Sequence, residues 1–372
     1  MVIAVISLFL LIFAVFHFYL YRKIVSAFQP LPKTRRTLTL LFTVLVVAPV
    51  INRLLDRLGL PVLSRALNFP LFIWIAWLFW FFLAGLMIDI WNRLLRWTPV
   101  GARWIIPVKI QVYSLLVLIF ITTGWSLHEA YRPQVTQVVI HSPVFSQPKP
   151  LHIVQISDVH LGMLRSDEWA RMICKTVESL KPDLLVSTGD LVDSSMSSIG
   201  NQADFWAAIH PPLGKLAVLG NHEYYLGLSE SLSFHEKAGF RLLRQESVDV
   251  GQELTISGVD DLDGSRLGQP CFSDESLFKK RLGADRYSIL LKHRPTFSEG
   301  ITRQFNLQLS GHTHNGQLFP FKAIVRLNHR YTHGLYEPAP GFRLYVSSGT
   351  GTWGPPMRLF APPEITVFIL TR

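Results

Sequence analysis

Four apolar runs in the first third of the chain constrain its architecture more than any other feature. Residues 2–20 read VIAVISLFLLIFAVFHFYL, 69–90 read FPLFIWIAWLFWFFLAGLMIDI and 106–125 read IPVKIQVYSLLVLIFITTGW. Each is about as long as a helix must be to cross the hydrocarbon core of a bilayer. A fourth run, TLTLLFTVLVVAPVI at 37–51, is shorter and contains Pro49. A bilayer core holds no water to satisfy backbone groups, so segments of this kind cross it as helices. Tryptophans in the 69–90 run suit the membrane interface, and Lys109 can extend its stem outward. No Lys or Arg precedes the first run and no small-residue cleavage site follows it, so it reads as an anchor and not a removable leader. The expected layout is a membrane region of about four helices over residues 1–125, with the lipid bilayer as its partner.

The formal net charge of +10 would suit a nucleic-acid partner if it were spread along the chain. It is not. Residues 1–150 carry 14 Lys/Arg against Asp56, Asp89 and Glu129, and residues 151–372 carry 22 basic and 23 acidic residues. The whole excess lies in the apolar half, where Lys and Arg flank membrane spans. Arg22, Lys23, Lys33, Arg35 and Arg36 lie between the first two runs, and Arg93, Arg96 and Arg103 between the last two. The opposite side holds Arg53, Arg57 and Arg65, then Arg132 and Lys149. This bias puts the first set inside, and both termini, with everything after about residue 126, outside. The runs themselves display no charge pair or polar relay, so anchoring is expected rather than transport.

Residues 126–150 are polar and proline-bearing and read as a linker with at most one edge strand. From residue 151 the texture changes. LHIVQIS, LLVSTGD, KLAVLGN, ELTISGV, YSILLKH, FNLQLSG, FRLYVSSG and EITVFILT are strand patterns. SDEWARMICKTVESL has helical spacing and an acidic first turn. Further helical stretches fall near 229–238, 273–282 and 296–303. Helices alternating with strands, followed by a strand-rich end, predict a mixed α/β sandwich over 151–372. The two cysteines, Cys174 and Cys271, make neither a disulfide framework nor a zinc-thiolate site.

Polar clusters fall at the carboxyl ends of these strands, where α/β sheets hold their ligands. QISDVH supplies Asp158 and His160, TGDLVD supplies Asp190 and Asp193, and LGNHEYY supplies Asn221, His222 and Glu223. LLKHRP supplies His293, and SGHTHNGQ supplies His312 and His314. A single strand-end Asp is ordinarily a turn residue, and a single His is ordinarily structural. Five such clusters in series exceed what turn chemistry needs. Imidazole, carboxylate and amide oxygen are the ligands of divalent ions, and a carboxylate can bridge two of them. The absence of cysteine from the set excludes a thiolate zinc site. His141, His152, His210, His235 and His333 have no such neighbours and read as structural or surface residues.

Together, Asp158-x-His160, Gly189-Asp190-x-x-Asp193, Gly220-Asn221-His222-Glu223, His293 and Gly311-His312-x-His314 resemble the signature of the calcineurin-like metallophosphoesterases, over about residues 150–372. GHTHNGQ and the closing GTGTWGPPMRLFAPPEIT resemble more narrowly the bacterial branch with membrane segments or export signals, and the eukaryotic transmembrane proteins with a metallophosphoesterase domain are similar. The resemblance implies a four-layer α/β/β/α sandwich and two divalent metal ions (Mn2+, Fe2+/3+, Zn2+ or Ni2+). Asp158, His160, Asp190 and His314 would hold the first ion. Asp190, Asn221, His293 and His312 would hold the second, with Asp190 shared. Hydroxide between the ions would attack phosphorus in line with the leaving oxygen. His222 would protonate the leaving alkoxide and Asp193 would orient it. Arg294 reads equally as a phosphate contact or an exposed loop residue.

The implied activity is metal-dependent hydrolysis of a phosphomonoester or phosphodiester, with lipid-linked esters among the candidate substrates. The near-neutral second half lacks the basic groove a polyanion needs, so nucleic acid is not an expected partner. A non-catalytic membrane scaffold or sensor that binds phosphate is the alternative, and the complete ligand set speaks against it. The loop charges would place the domain on the extracytoplasmic side of a bacterial inner membrane.

Overall fold

The computed structural model describes residues 2–58, 60–146, 149–162, 164, 166–193, 199, 201–278 and 286–372. It divides into two compact units, Met1–Trp125 with Gly354–Pro356, and Ser126–Trp353 with Met357–Arg372.

The first unit is built from α1 (Val2–Phe28), α2 (Pro32–Arg57), α3 (Pro61–Leu95) and the part of α4 (Val108–Ala130) before Ser126. All four contain stretches long and apolar enough to cross a membrane. Pro49 does not end the second helix, which runs well beyond the expected segment at both ends. One expectation is corrected here, because the spans do contain a charge pair. Lys23 of α1 is buried and forms an ion pair with Asp89 of α3. It also donates to Gln111 Oε1 of α4 at 2.5 Å, and Tyr19 OH donates to Asp89 at 2.7 Å. Tyr19 and Lys23 are one helical turn apart and so face the same partner. Asp89 and Gln111 are distant in sequence, which is why no local pattern reveals the network. Trp74 Nε1 donating to His17 at 3.0 Å and Trp77 Nε1 donating to Thr123 at 2.8 Å add further interhelical ties.

The second unit contains twelve named strands: β1 (Gln134–His141), β2 (Leu151–Ile156), β3 (Leu184–Ser187), β4 (Lys215–Ala217), β5 (Arg241–Leu242), β6 (Glu246–Val250), β7 (Leu254–Gly258), β8 (Tyr287–Leu291), β9 (Leu307–Ser310), β10 (Gly334–Ala339), β11 (Phe342–Val346) and β12 (Glu364–Thr371). One sheet has the order β1-β12-β2-β3-β4-β5 and the other β10-β11-β9-β8-β7-β6. Within the first, β2, β3 and β4 are parallel neighbours, and within the second, β7, β8, β9 and β11 are. The stretch after the last span contributes β1, which pairs in parallel with β12 along its whole length.

Ile153, Val186, Ile256, Leu291, Leu309 and Phe368 fill the space between the sheets. The outer face of the first sheet is covered by α5 (Asp167–Ser179), α6 (Gln202–Ala207) and α8 (Leu228–Lys237), with Trp169, Ile173, Trp206 and Phe234 in that layer. α5 follows from its sequence: Ser166 Oγ accepts from Trp169 N at 3.3 Å, acids occupy the first turn, and Trp169, Ala170, Ile173, Cys174 and Val177 form the buried stripe. The outer face of the second sheet is covered thinly. There the helical patterns at 273–282 and 296–303 yield only the 3₁₀ turns Glu275–Leu277 and Ile301–Arg303, with residues 279–282 outside the described residues. The short α7 (Asn221–Leu226), α9 (Asp263–Arg266) and the surface helix α10 (Phe321–Asn328) complete the elements. Cys174 and Cys271 are both free thiols.

Removing one partner from a low-dielectric ion pair strands the other charge, whereas replacing both by apolar residues often does not destabilise. Asp89→Ala is therefore expected to cost the detergent-solubilised protein about 3 kcal/mol, and Lys23→Met combined with Asp89→Leu to recover most of it. Thermal unfolding of the single and double variants checks this, and a Tm unchanged in Asp89→Ala would refute it.

Candidate metal centre

Every motif singled out from the sequence lies just beyond a strand. Asp158 and His160 follow β2, Asp190 and Asp193 follow β3, and Asn221 and His222 open α7 after β4. His293 follows β8, and His312 and His314 follow β9. Among the described residues, three groups of potential ligands result: Asp158, His160 and His314; Asp190, His293 and His312; and His160, Asp193 and His222. In the first, His314 Nε2 lies 3.3 Å from Asp158 Oδ1 and 3.1 Å from His160 Nε2. In the second, His293 Nε2 lies 3.2 Å from Asp190 Oδ2, 3.2 Å from Asn221 Oδ1 and 3.1 Å from His312 Nδ1. Asp190 Oδ2 is also 3.9 Å from His160 Nε2, so one carboxylate touches both halves. His222 Nδ1 lies 2.7 Å from Asp193 Oδ1, at the edge of the cluster.

The loops reach this arrangement through backbone that L-residues seldom adopt. Asp158, His160, Asp190, His312 and His314 all have positive φ, between 48° and 73°. Left-handed backbone costs roughly 1–2 kcal/mol per non-glycine residue, so other bonds must hold these turns. Asp158 N donates to Gly189 O and His160 N to Asp190 O, both at 3.0 Å, which laces the first loop to the second. Glu223 fastens the second loop to the third. Its buried carboxylate accepts from Asp190 N (2.9 Å), Leu191 N (2.7 Å), Val192 N (3.2 Å) and Gly220 N (2.8 Å). The fit leaves no room for side chains at the framing glycines. A Cβ on Gly220 would lie 2.2 Å from Asp190 Oδ1, and one on Gly311 would lie 2.2 Å from Asp158 Oδ2.

Burial and mutual charge set the protonation states. Burial raises the pKa of Asp158. Burial also pushes Asp190 up, but His293, His222 and His160 outweigh it and hold the carboxyl well below its ordinary value. Burial lowers His293, yet Asp190 and Asp158 carry it up to about 10. His160 falls to about 4 through burial and the neighbouring His222. His312 and His314 are driven well below the ordinary value, by burial first and then by the adjoining His293 and His160 respectively. Three neutral imidazoles therefore crowd against buried carboxylates.

That donor set suits divalent ions. His293 Nδ1 donates to Thr188 O at 2.8 Å, so Nε2 is the nitrogen that faces Asp190 and Asn221 and would bind an ion in exchange for its proton. His160 Nδ1 is buried without a hydrogen-bond partner. Imidazole nitrogens from separate loops converge to 3.1 Å in both halves, so each half brings two ring nitrogens within reach of one ion. Oxygen and imidazole donors without thiolate match Mn, Fe, Zn or Ni rather than a structural zinc.

The roles of some neighbours were left open by the sequence. Arg358 is fully buried. It donates to Gly351 O at 2.8 Å, Ala361 O at 2.9 Å and Gly349 O at 3.1 Å, and its Nη2 lies 3.2 Å from His314 Nδ1. Its only signal was its place in the closing motif. Arg294 is engaged by Asp261 at 2.7 and 3.1 Å and by Asp263 at 3.0 Å. The rings of Tyr225 and Trp353 lie 5.2 and 6.1 Å from His222, and His329 lies 5.4 Å from His312. His235 and His333 stay out of the cluster, bonded to Ser231 O and to Glu364.

The sequence from 151 to 316 matches the family model of the calcineurin-like phosphoesterases. An uncharacterized metallophosphoesterase of Aquifex aeolicus is 44% identical over 245 residues, 66% of this chain and 94% of that relative. A transmembrane protein with metallophosphoesterase domain from Danio rerio is 31% identical over 281 residues, 70% of this chain and 62% of that relative. Among solved structures, the NAD nucleotidase of Haemophilus influenzae is similar with a TM-score of 0.38 and 16% identity, covering 55% of this chain and 46% of that one. The chain belongs to the calcineurin-like phosphoesterases, and within them it is similar to relatives that carry transmembrane segments.

Glu223→Ala leaves four buried N–H groups without their acceptor, so a loss of at least about 3 kcal/mol is expected. Because the released loop carries Asp190, Mn2+ affinity should fall with it. Thermal unfolding and calorimetric Mn2+ titration read the two effects, and unchanged values in both would remove Glu223 from its bracing role.

Proposed function

We propose that this chain is a membrane-anchored phosphoesterase that hydrolyses a phosphomonoester or phosphodiester with two divalent ions. The observation that carries the reading is the position of Asp190 Oδ2, 3.2 Å from His293 Nε2 and 3.9 Å from His160 Nε2, which suits a carboxylate shared by two ions. Asp158, His160, Asp190 and His314 would hold one ion, and Asp190, Asn221, His293 and His312 the other. Bound there, the ions supply a water of lowered pKa and neutralise charge gathering on the phosphoryl oxygens.

The chain's own groups do the rest. Asp193 accepts the Nδ1 proton of His222 and so fixes the ring with Nε2 as its free nitrogen. Burial lowers the His222 pKa, but Asp190 and Asp193 overcome this and carry it to about 9, so Nε2 holds a proton at neutral pH. That proton is available to the departing alkoxide, which makes His222 the general acid and Asp193 its positioning residue. The rings of Tyr225 and Trp353 beside His222 form an apolar rim for a leaving group.

Four apolar helices and the near-neutral charge of residues 151–372 favour a lipid-linked ester over a nucleic acid. The loop charges favour the domain lying on the extracytoplasmic side, and the similarity to bacterial relatives favours a bacterial inner membrane. A reporter fused at the C-terminus reads that sidedness.

His222→Ala is expected to lower kcat about 10²-fold or more on an alkyl phosphate and much less on p-nitrophenyl phosphate, whose leaving group needs no acid, with bound Mn2+ unchanged. An equal loss on both esters would remove the general-acid role. Absence of turnover on p-nitrophenyl phosphate and its bis ester, with Mn2+ bound, would leave the non-catalytic scaffold.

A further inference from the structure

One surface feature is not used by this chemistry. α10, with sequence FKAIVRLN, has no buried residue. Phe321, Ile324 and Leu327 recur along one side of the helix, and Ile324 and Leu327 are 44% and 86% exposed. Phe319 just before the helix and Phe360 on the neighbouring loop add to the patch, at 53% and 65% exposure with ring centroids 5.7 Å apart. An amphipathic helix ordinarily buries its apolar stripe, so an exposed one marks a surface awaiting a partner. Lys322, Arg326 and Arg330 lie alongside, and no Asp or Glu occurs from 317 to 336.

The chain itself indicates the occupant. Residues Ser126–Ala130, the end of α4, belong to the same compact unit as α10. Ser126 O accepts from Arg358 N at 3.0 Å, and the Glu129 carboxylate accepts from Ala361 N at 2.9 Å. The loop carrying Phe360 is thus bonded to the last turn of a helix long and apolar enough to cross a membrane. The same loop holds α10 in place, because Phe319 N donates to Leu359 O at 3.2 Å. At both ends this segment abuts the metal centre, at His314 on one side and, through the His329 ring, at His312 on the other. An apolar stripe edged by cations, fastened to the end of a span, suits an anionic lipid surface.

We infer that the face formed by Phe319, Phe321, Ile324, Leu327 and Phe360 seats in the interfacial layer of the bilayer that holds the chain. It sets the rim of the metal centre at headgroup depth. This deepens the proposed function by making lipid-borne phosphate esters the substrate class, and only its kinetic arm rests on that reading.

The test uses the full chain, with Cys271→Ser, reconstituted in vesicles of equal parts phosphatidylcholine and phosphatidylglycerol. A nitrobenzoxadiazole label on Leu327→Cys should be quenched about twofold by brominated lipid, while the same label on Ser179→Cys, exposed on α5, should be unaffected. Equal quenching at the two positions overturns the inference, whether the face then proves to bind a protein or a second copy of the chain. In the kinetic arm, Leu327→Glu should raise KM about tenfold for a vesicle-borne phosphate ester and leave p-nitrophenyl phosphate hydrolysis unchanged. Quenching at Leu327→Cys without cleavage of any lipid ester upholds the docking and removes the lipid substrate. Lipid-ester cleavage without quenching upholds the proposed activity and removes the docking.

Discussion

Asp190 is the residue on which the centre depends. A buried carboxylate must be compensated, and this one is compensated by His293 and His160 through its Oδ2 and by the His222 backbone N–H at 2.9 Å through its Oδ1, while Glu223 holds the backbone around it by accepting from the Asp190 and Leu191 amides. Its left-handed backbone, with φ of 54°, keeps the carboxylate over the junction of the two sets of ligands. Gly220 is the complement of that choice, since a side chain there would occupy the carboxylate's place.

Much of this was legible from residue types alone. The strand ends bearing Asp158, Asp190, Asn221, His293 and His312 could be read because short apolar runs end abruptly in polar residues of ligand chemistry, and the parallel strands deliver all of them to one edge of the sandwich. The positive φ angles could not be read, because Asp and His do not announce left-handed backbone as glycine does. Glu223 stood in plain view in the GNHE motif, but its role consists of bonds to backbone amides of another loop, which leave no trace in residue identity. Arg358 was hidden for the same reason, since its partners are mostly carbonyl oxygens. In the membrane helices, hydropathy found the spans and missed the tie between Lys23 and Asp89. A lone lysine near a helix end reads as a flanking charge until a distant acid is placed against it.

Short and marginal elements form the rest of what the sequence concealed. β5 is two residues long, and the alternation in β6 and β10 is too weak to set them apart from loops. Among the described residues, the helical patterns at 273–282 and 296–303 became single 3₁₀ turns, and with Ile301 and Phe305 in the cluster beneath them a thin outer layer covers the second sheet.

The order of strands in the first sheet bears on how the chain can be made. β1 emerges directly after the last membrane helix, yet its neighbour is β12, which also separates it from β2. Glu364, at the start of β12, receives hydrogen bonds from His333, Tyr345 and the Ser348 amide. It secures the loop whose Thr350 and Gly351 amides bond to Ser157 and Asp158. The final strand is therefore a keystone. Until β12 is in place the sheet has a vacant slot between β1 and β2, and the loop carrying Thr350 and Gly351 lacks the hold of Glu364. The pairing of β12 with β1 and β2 joins strands far apart in sequence, a slow kind of step, and the candidate metal centre is complete only once that pairing has formed.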